Sequence, residues 1–410
     1  MKSPQDLSIS DYQYELPEAR IANYPLAERS SSKLLVYRHG KIVDAYYDQL
    51  PGYVSADTVL YFNNSKVVEA RLLFRTEGGQ RVEVFCLEPD ATLYQDVTMA
   101  MQTHSEVQWI CMVGGAKKWK EHIVLEKLFS GVKGTVRLQA RLLARRQDSF
   151  LIHFSWDEPS WCFAEMLHHM GVIPLPPYIK RESESQDSIR YQTVYAQQEG
   201  SVAAPTAGLH FTDALLQQLA NKGIEKHFLT LHVGAGTFKP VKSAQLKEHT
   251  MHAEYMDVSL EMVDSVKNAS SKKIIPVGTT AFRTLESLYW MGVKVIQHPN
   301  AALCDLEISQ WEAYAMTATP SRSVAFEALS RWMQKNQMSR LFAKTSLLVA
   351  PGYDIKVCDA IITNFHQPGS TLILLVACFV GDEWRAIYQH ALDNDYRFLS
   401  FGDGSLLWKK

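Results

Sequence analysis

A chain of 410 residues exceeds one small domain and is long enough for two or three. Its 46% hydrophobic and 21% charged residues are the ordinary balance of a globular protein. A formal net charge of −2 argues against an overall basic coat for nucleic acid, but leaves room for a local basic face. The six cysteines (86, 111, 162, 304, 358 and 378) include no Cys-x-x-Cys pair. That spacing predicts a reduced, cytoplasmic chain with neither a disulfide framework nor a zinc ribbon. The first residues lack the apolar core of a signal peptide, and the longest apolar run, 371–380, is too short to span a bilayer. No membrane partner is expected.

In chain order, residues 1–30 are rich in turn formers. The runs 34–37 and 42–47 predict a hairpin about His39-Gly40, and 58–62 a buried strand ended by Asn63-Asn64-Ser65. Between 67 and 154 the pattern changes to short alternating runs at 71–75, 81–87, 107–113, 134–143 and 149–154, separated by Gly pairs. That spacing predicts a small antiparallel β-barrel inserted into an α/β chain. Nine Lys or Arg lie between Gly114 and Arg146 against two Glu, with Trp109 and Trp119 nearby. Such a face suits phosphate contacts and base stacking; the plainer reading is a solvated charged surface. Residues 160–172 carry the spacing of an amphipathic helix.

The densest chemistry lies in 200–238. Two small-residue loops, each with one His (His210 and His232), flank a helix at 212–222 and a strand. Small residues let a backbone approach a ligand closely, and an imidazole beside such a loop can exchange protons near neutral pH. The cluster His249-Thr-Met-His252-Ala-Glu254 follows. It lacks the His-Glu-x-x-His spacing and a third ligand set, so no metal is expected. After a helix at 259–269, the strand 273–277 meets Gly278-Thr279-Thr280 and a helix at 281–290. That join presents free N–H groups to a carboxylate or phosphate, and equally suits plain N-capping. Residues 299–342 read as a helical excursion. The strand 358–363, the loop Asn364-Phe-His366-Gln-Pro-Gly-Ser370 and a buried helix at 371–380 come next.

Several of these motifs together resemble the S-adenosylmethionine:tRNA ribosyltransferase-isomerases of queuosine synthesis. The likeness lies in Tyr24-Pro-x-x-Glu-Arg29, Phe62-Asn-Asn64, Pro176-Pro-Tyr-Ile-Lys-Arg181, Arg190-Tyr-Gln-Thr-Val-Tyr-Ala196 and 200–211. It continues through 230–238, His249 to Glu254, Val277-Gly-Thr-Thr280, Thr363-Asn-Phe-His366 and 396–403. The resemblance implies an irregular, barrel-like α/β domain (1–66 and 155–410) with a β-barrel domain (67–154) inserted in it. It also implies a reaction. The ribosyl group of S-adenosylmethionine, a co-substrate, moves to the 7-aminomethyl-7-deazaguanine of a tRNA anticodon stem-loop. Epoxyqueuosine-tRNA, adenine and methionine result. No prosthetic group is implied, and the enzyme is expected as a monomer or homodimer.

That chemistry needs a base for the carbon beside the sulfonium, an acid for departing adenine, an anion site and a dry pocket. His210, His232, His252, Glu254 and His366 are the acid–base candidates, with the base unassigned. Thr279, Thr280 and Arg283 are the choice for the methionine carboxylate. The matched motifs add Arg29, Asn64, Tyr178, Arg190, Tyr191, Thr206, Gly208, Gly234, Gly236, Thr237 and Asn364 as substrate-binding residues. Lys66 replaces a usual Arg, Ala281-Phe282-Arg283-Thr284 a usual Ser-Val-Arg-Ser, and His366-Gln-Pro-Gly-Ser370 a usual His-Leu-Pro-Glu-Ser. These departures frame the competing reading, a tRNA-binding paralogue that is inactive or takes another substrate. A methyltransferase, prompted by Gly234-Ala-Gly236, lacks the third Gly of a nucleotide fingerprint.

Overall fold

The computed structural model of the chain describes residues 4–94, 97–120, 122–131, 134–146, 149–234 and 245–410. One large mixed sheet organises it. Its strands are β1 (Lys33–Arg38), β2 (Lys41–Tyr46), β3 (Thr58–Asn63), β4 (Glu225–His232), β5 (Glu254–Ser259), β6 (Lys273–Val277), β7 (Arg340–Thr345), β8 (Ala360–Asn364) and β9 (Gly404–Trp408). They lie in the order β7-β5-β4-β3-β6-β8-β9-β1-β2. The central four, β4-β3-β6-β8, run parallel, and every residue of β3 is buried. Such strands need cover on both faces, which explains why β3 reads as a continuous apolar run.

Seven helices of eight or more residues occur among the described residues: α1 (Phe163–Met170), α2 (Asp213–Asn221), α3 (Leu260–Asn268), α4 (Thr279–Gln297), α5 (Arg322–Lys335), α6 (Thr371–Val380) and α7 (Trp384–Asp393). α4 starts two residues earlier and runs seven further than the 281–290 expected. Gly292 lies within the extension. A Cβ there would meet the Ala325 carbonyl at 2.1 Å, so the missing side chain lets α5 lie directly against α4. The segment 299–342 is also more than helical, because β7 begins at Arg340 and pairs with β5. Its outward positions carry half-buried Arg340 and Lys344 and exposed Phe342, which hid the strand.

The second layer is an antiparallel sheet of seven strands. Its order is Gly171–Val172, Arg71–Arg75, Arg81–Pro89, Glu106–Gly114, Phe150–Trp156, Gly134–Arg145, Val124–Gly131. The last strand curls back to touch Arg71–Arg75, yet no ladder joins the two. The small barrel expected from sequence is therefore not confirmed; the layer is an open, curled half-barrel. Strand Val124–Gly131 escaped the sequence reading because apolar residues occupy both its faces, with Leu125 buried and Leu128 61% exposed. Trp109 and Trp119 are both buried, so neither can stack on a nucleic-acid base. They pack with Phe154, Phe163 and Met166 in a core separate from those of the large sheet.

Candidate active site

A cleft opens where the parallel strands end. Beyond β4 stands Val233, beyond β6 Gly278, and at the end of β8 Asn364; all three line the cleft. The carboxyl ends of parallel strands are where open α/β sheets bind ligands, because the turns to the following helices leave a crevice. Counting its open mouth, the cleft holds about 740 Å³ of empty space. Its wall is mostly small or apolar: Ala203, Ala204, Pro205, Ala207, Phe365, Leu372 and Leu399. None of the described residues that line it is an acid, lysine or arginine.

Two helices begin at this cleft. β6 turns at Gly278, held at φ +93°, into the nineteen-residue α4, whose first residues Thr279 and Thr280 line the wall. A side chain would be strained at that φ, so Gly is required. β8 leads through 365–370 to α6, capped by Ser370, whose side chain accepts from the Ile373 N–H. Ser370 and Leu372 also line the cleft. Free N–H groups and aligned peptide dipoles at both ends favour a bound anion. Asn63 fixes the α4 end. Its amide donates to Thr280 Oγ1 (3.2 Å) and to the Leu231 carbonyl (2.9 Å), tying β3, β4 and α4 together.

Of the proposed acid–base groups, His366 lines the cleft. Its Nε2 lies 2.9 Å from Thr363 Oγ1, and burial pushes its pKa down to about 3. The ring is therefore neutral. His210 sits behind the wall. It stacks on Tyr47 at 4.2 Å, and its Nε2 lies 3.3 Å from Asn364 Nδ2. Burial, then the charges of Arg397 and Arg29, push it down to about 3. Asn364 in turn accepts from Thr206 Oγ1 (3.1 Å) and donates to the Leu399 carbonyl (3.2 Å). Leu399 holds φ +70°, an outlier for a bulky residue, beside the cleft.

The other proposed residues divide. Tyr178 lines the cleft and its hydroxyl lies 2.6 Å from Ser400 Oγ. His232 is half-buried at the end of β4 beside Gly200, and His252 is exposed; neither lines the cleft. Glu254 and Arg283 form a buried ion pair, with the Gly234 amide also on the carboxylate and Arg283 Nε donating to the Leu347 carbonyl (3.1 Å). Neither residue of the pair lines the cleft. Arg29 donates to the carbonyls of Gln192 (2.7 Å), Leu209 (3.2 Å) and Ile189 (3.0 Å), and Arg190 to those of Ala27 and Leu26. Both arginines thus fasten backbone. Asn64 accepts from Thr230 Oγ1 (2.7 Å), and Tyr191 is sealed against Phe401. At Gly208 a Cβ would meet the Tyr195 hydroxyl at 1.9 Å, so packing demands the glycine. Gly236 and Thr237 lie outside the described residues. Lys66 pairs with Glu199 at 2.8 Å.

Residues absent from the sequence-derived set also line the cleft: Ala203, Ala204 and Pro205, Gln367, Ser370 and Ser400. The signal for Ser370 was present, a Ser directly before an apolar helix. Among the described residues no group of three His, Cys, Asp or Glu could hold a metal, and no helix is long and apolar enough to cross a membrane.

The family model described as queuosine biosynthesis protein matches residues 9–407. The S-adenosylmethionine:tRNA ribosyltransferase-isomerase of Legionella pneumophila strain Corby is 37% identical over 406 residues, 98% of this chain and 100% of that protein. The protein of the same name from strain Paris matches to the same extent. A crystal structure of S-adenosylmethionine tRNA ribosyltransferase from Thermotoga maritima aligns over 97% of this chain and 99% of its own, with 24% identity and a TM-score of 0.46.

Proposed function

The chain belongs to the queuosine biosynthesis protein family, and from that premise we infer that it is an S-adenosylmethionine:tRNA ribosyltransferase-isomerase. It moves and isomerises the ribosyl group of S-adenosylmethionine onto the 7-aminomethyl-7-deazaguanine of tRNA, and releases adenine and methionine. The observation that carries this is relatedness over nearly the whole chain. The cleft supports it with matching chemistry. The N-terminal end of α4, at Gly278 to Thr280, suits the methionine carboxylate, since backbone N–H groups and the helix dipole favour an anion there. The apolar wall of Ala203, Ala204, Pro205 and Leu399 suits a flat base and excludes water from an ylide. His366, the one of the five proposed acid–base groups that lines the cleft, is our choice for the group that takes the proton from the carbon beside the sulfonium. Asn364, Thr206 and Tyr178 orient the substrate around it. His210 acts through Asn364, and the Glu254–Arg283 pair supports the start of the loop after β4.

Incubation with S-adenosylmethionine and precursor tRNA tests the function. Adenine release together with a mass shift on the modified nucleoside is expected. Release of S-adenosylhomocysteine instead, or no adenine with a substrate that a known enzyme of this class consumes, would refute it.

The bounds expected for the insertion, 67–154, stop short of the layer, which also takes in α1 and strand Gly171–Val172; we assign this whole curled layer to the anticodon stem-loop and the large sheet to catalysis, acting in the cytoplasm. Arg137 and Arg141 alternate on the outer face of strand Gly134–Arg145, both exposed, with Lys117, Lys118 and Lys120 exposed at the same end of the sequence. Phosphate contacts of this kind give salt-dependent affinity without base readout. The double variant Arg137→Ala/Arg141→Ala is expected to weaken tRNA binding and lower the salt slope by about two, leaving the KM for S-adenosylmethionine unchanged. An unaltered tRNA Kd and slope would place the contact elsewhere.

A further inference from the structure

We propose that Tyr14 and Tyr388 are positioning residues that hold the His366 imidazole at the cleft wall. This rests on the reading of His366 as the proton acceptor. The two hydroxyls reach the two peptides that flank the His366 Cα, from opposite ends of the chain. The His366 N–H donates to Tyr388 Oη at 3.1 Å, and Tyr14 Oη donates to the His366 carbonyl. Their rings pack edge to face at 5.1 Å, and both pack against Phe398. The N-terminal segment makes a second tie three residues on, where the Gly369 N–H donates to the Tyr12 carbonyl at 3.0 Å. Gly369 sits at φ +63°, and a Cβ there would meet Gln13 Nε2 at 2.2 Å. The strap 12–14 therefore lies flush on the loop and fills the space where a side chain at 369 would project.

A loop between a strand and a helix has few bonds of its own to set a side chain's direction. Here the ring is set at both ends. Thr363 holds Nε2, and the two tyrosines hold the backbone on either side of Cα. Burial raises the pKa of both tyrosines above the ordinary value, so they stay protonated, and neither lines the cleft. They act through His366 and do not touch substrate. A displacement of about 1 Å in a reacting group can cost up to a hundredfold in rate, so loosening this peptide should be felt in turnover.

Tyr14→Phe and Tyr388→Phe remove one hydroxyl each and keep the packing. With the full chain, S-adenosylmethionine and precursor tRNA, each is expected to lower kcat about tenfold, with the KM for S-adenosylmethionine within about twofold of the parent. Tyr289→Phe is the control. It loses a comparable bond, 2.7 Å to the Pro320 carbonyl, away from the cleft, and should leave both constants alone. Parental kcat in both tyrosine variants, or a change confined to KM, or an equal loss in Tyr289→Phe, overturns the proposal. His366→Ala separates the two levels of the argument. Full activity in that variant removes the role of His366 itself, and loss of activity there with both phenylalanine variants fully active removes only the strap.

Discussion

Arg283→Met is expected to lower the stability of the fold by about 3–5 kcal/mol, because it leaves the Glu254 carboxylate buried without its cation. Arg283 and Glu254 side chains are each 5% exposed, too little for water to solvate the orphaned charge. Burial already pushes the Glu254 carboxyl up, against the pull of Arg283 and the Gly234 amide. Without Arg283 that upward push is unopposed by any guanidinium, and the carboxyl must take a proton or remain ionised at a cost. The double variant Arg283→Met/Glu254→Gln removes both charges and keeps an acceptor for the Gly234 amide. It should regain at least half of the loss, since buried pairs replaced together are far better tolerated than pairs broken singly. Urea unfolding followed by circular dichroism measures both. If the double variant is no better than Arg283→Met, the damage comes from the vacated volume of the arginine and the charge argument is wrong.

The same pair shows where sequence reading stops. Local pattern carried the strands well. β3, β6, β8 and the apolar α6 all stand where β-branched runs, turn residues and N-caps put them. Gly278-Thr279-Thr280 reads as a strand-to-helix join, and it is one, at the cleft. Motif membership could not tell wall from backing. Glu254 and Arg283 are 29 positions apart, and their pairing exists only because β5 and α4 are brought together by the sheet. His210 and Thr206 share one short 3-10 turn, yet Thr206 lines the cleft and His210 stacks on Tyr47 behind it. Arg29 and Arg190 look like anion ligands in a string of letters. In the fold their guanidinium groups are spent on carbonyls of 189–209 and 26–27, which carry no sequence signature because every residue has one. The curled layer misled for a related reason. Alternation fixes which residues face inward, but closure of a barrel depends on whether the two edge strands come into ladder register, which no single strand encodes.

Acidification should unfold this protein well above the range where ordinary carboxylates titrate. His210 and His366 are buried and both are pushed down to about 3, against an ordinary value of 6.5. A depressed pKa means the unfolded chain binds a proton that the folded chain refuses. Stability is thus complete above about 6.5 and is lost as pH falls from there towards about 3. Well below pH 6.5 each histidine approaches a slope of about 1.4 kcal/mol per pH unit, so the pair loses about 3 kcal/mol between pH 6.5 and 5. His227 and His249, half-buried, shift the same way through burial and add to the loss. The loss is large beside the 5–15 kcal/mol typical of a whole domain. Urea midpoints at pH 7.5, 6.5, 5.5 and 5.0 measure it, and His366→Asn should flatten the slope by about 1.4 kcal/mol per unit while leaving stability above pH 7 little changed. Parallel pH profiles for the parent and His366→Asn would mean that His366 takes up its proton in the folded state as readily as in water. A ring so hydrated would not have the dry surroundings proposed for it.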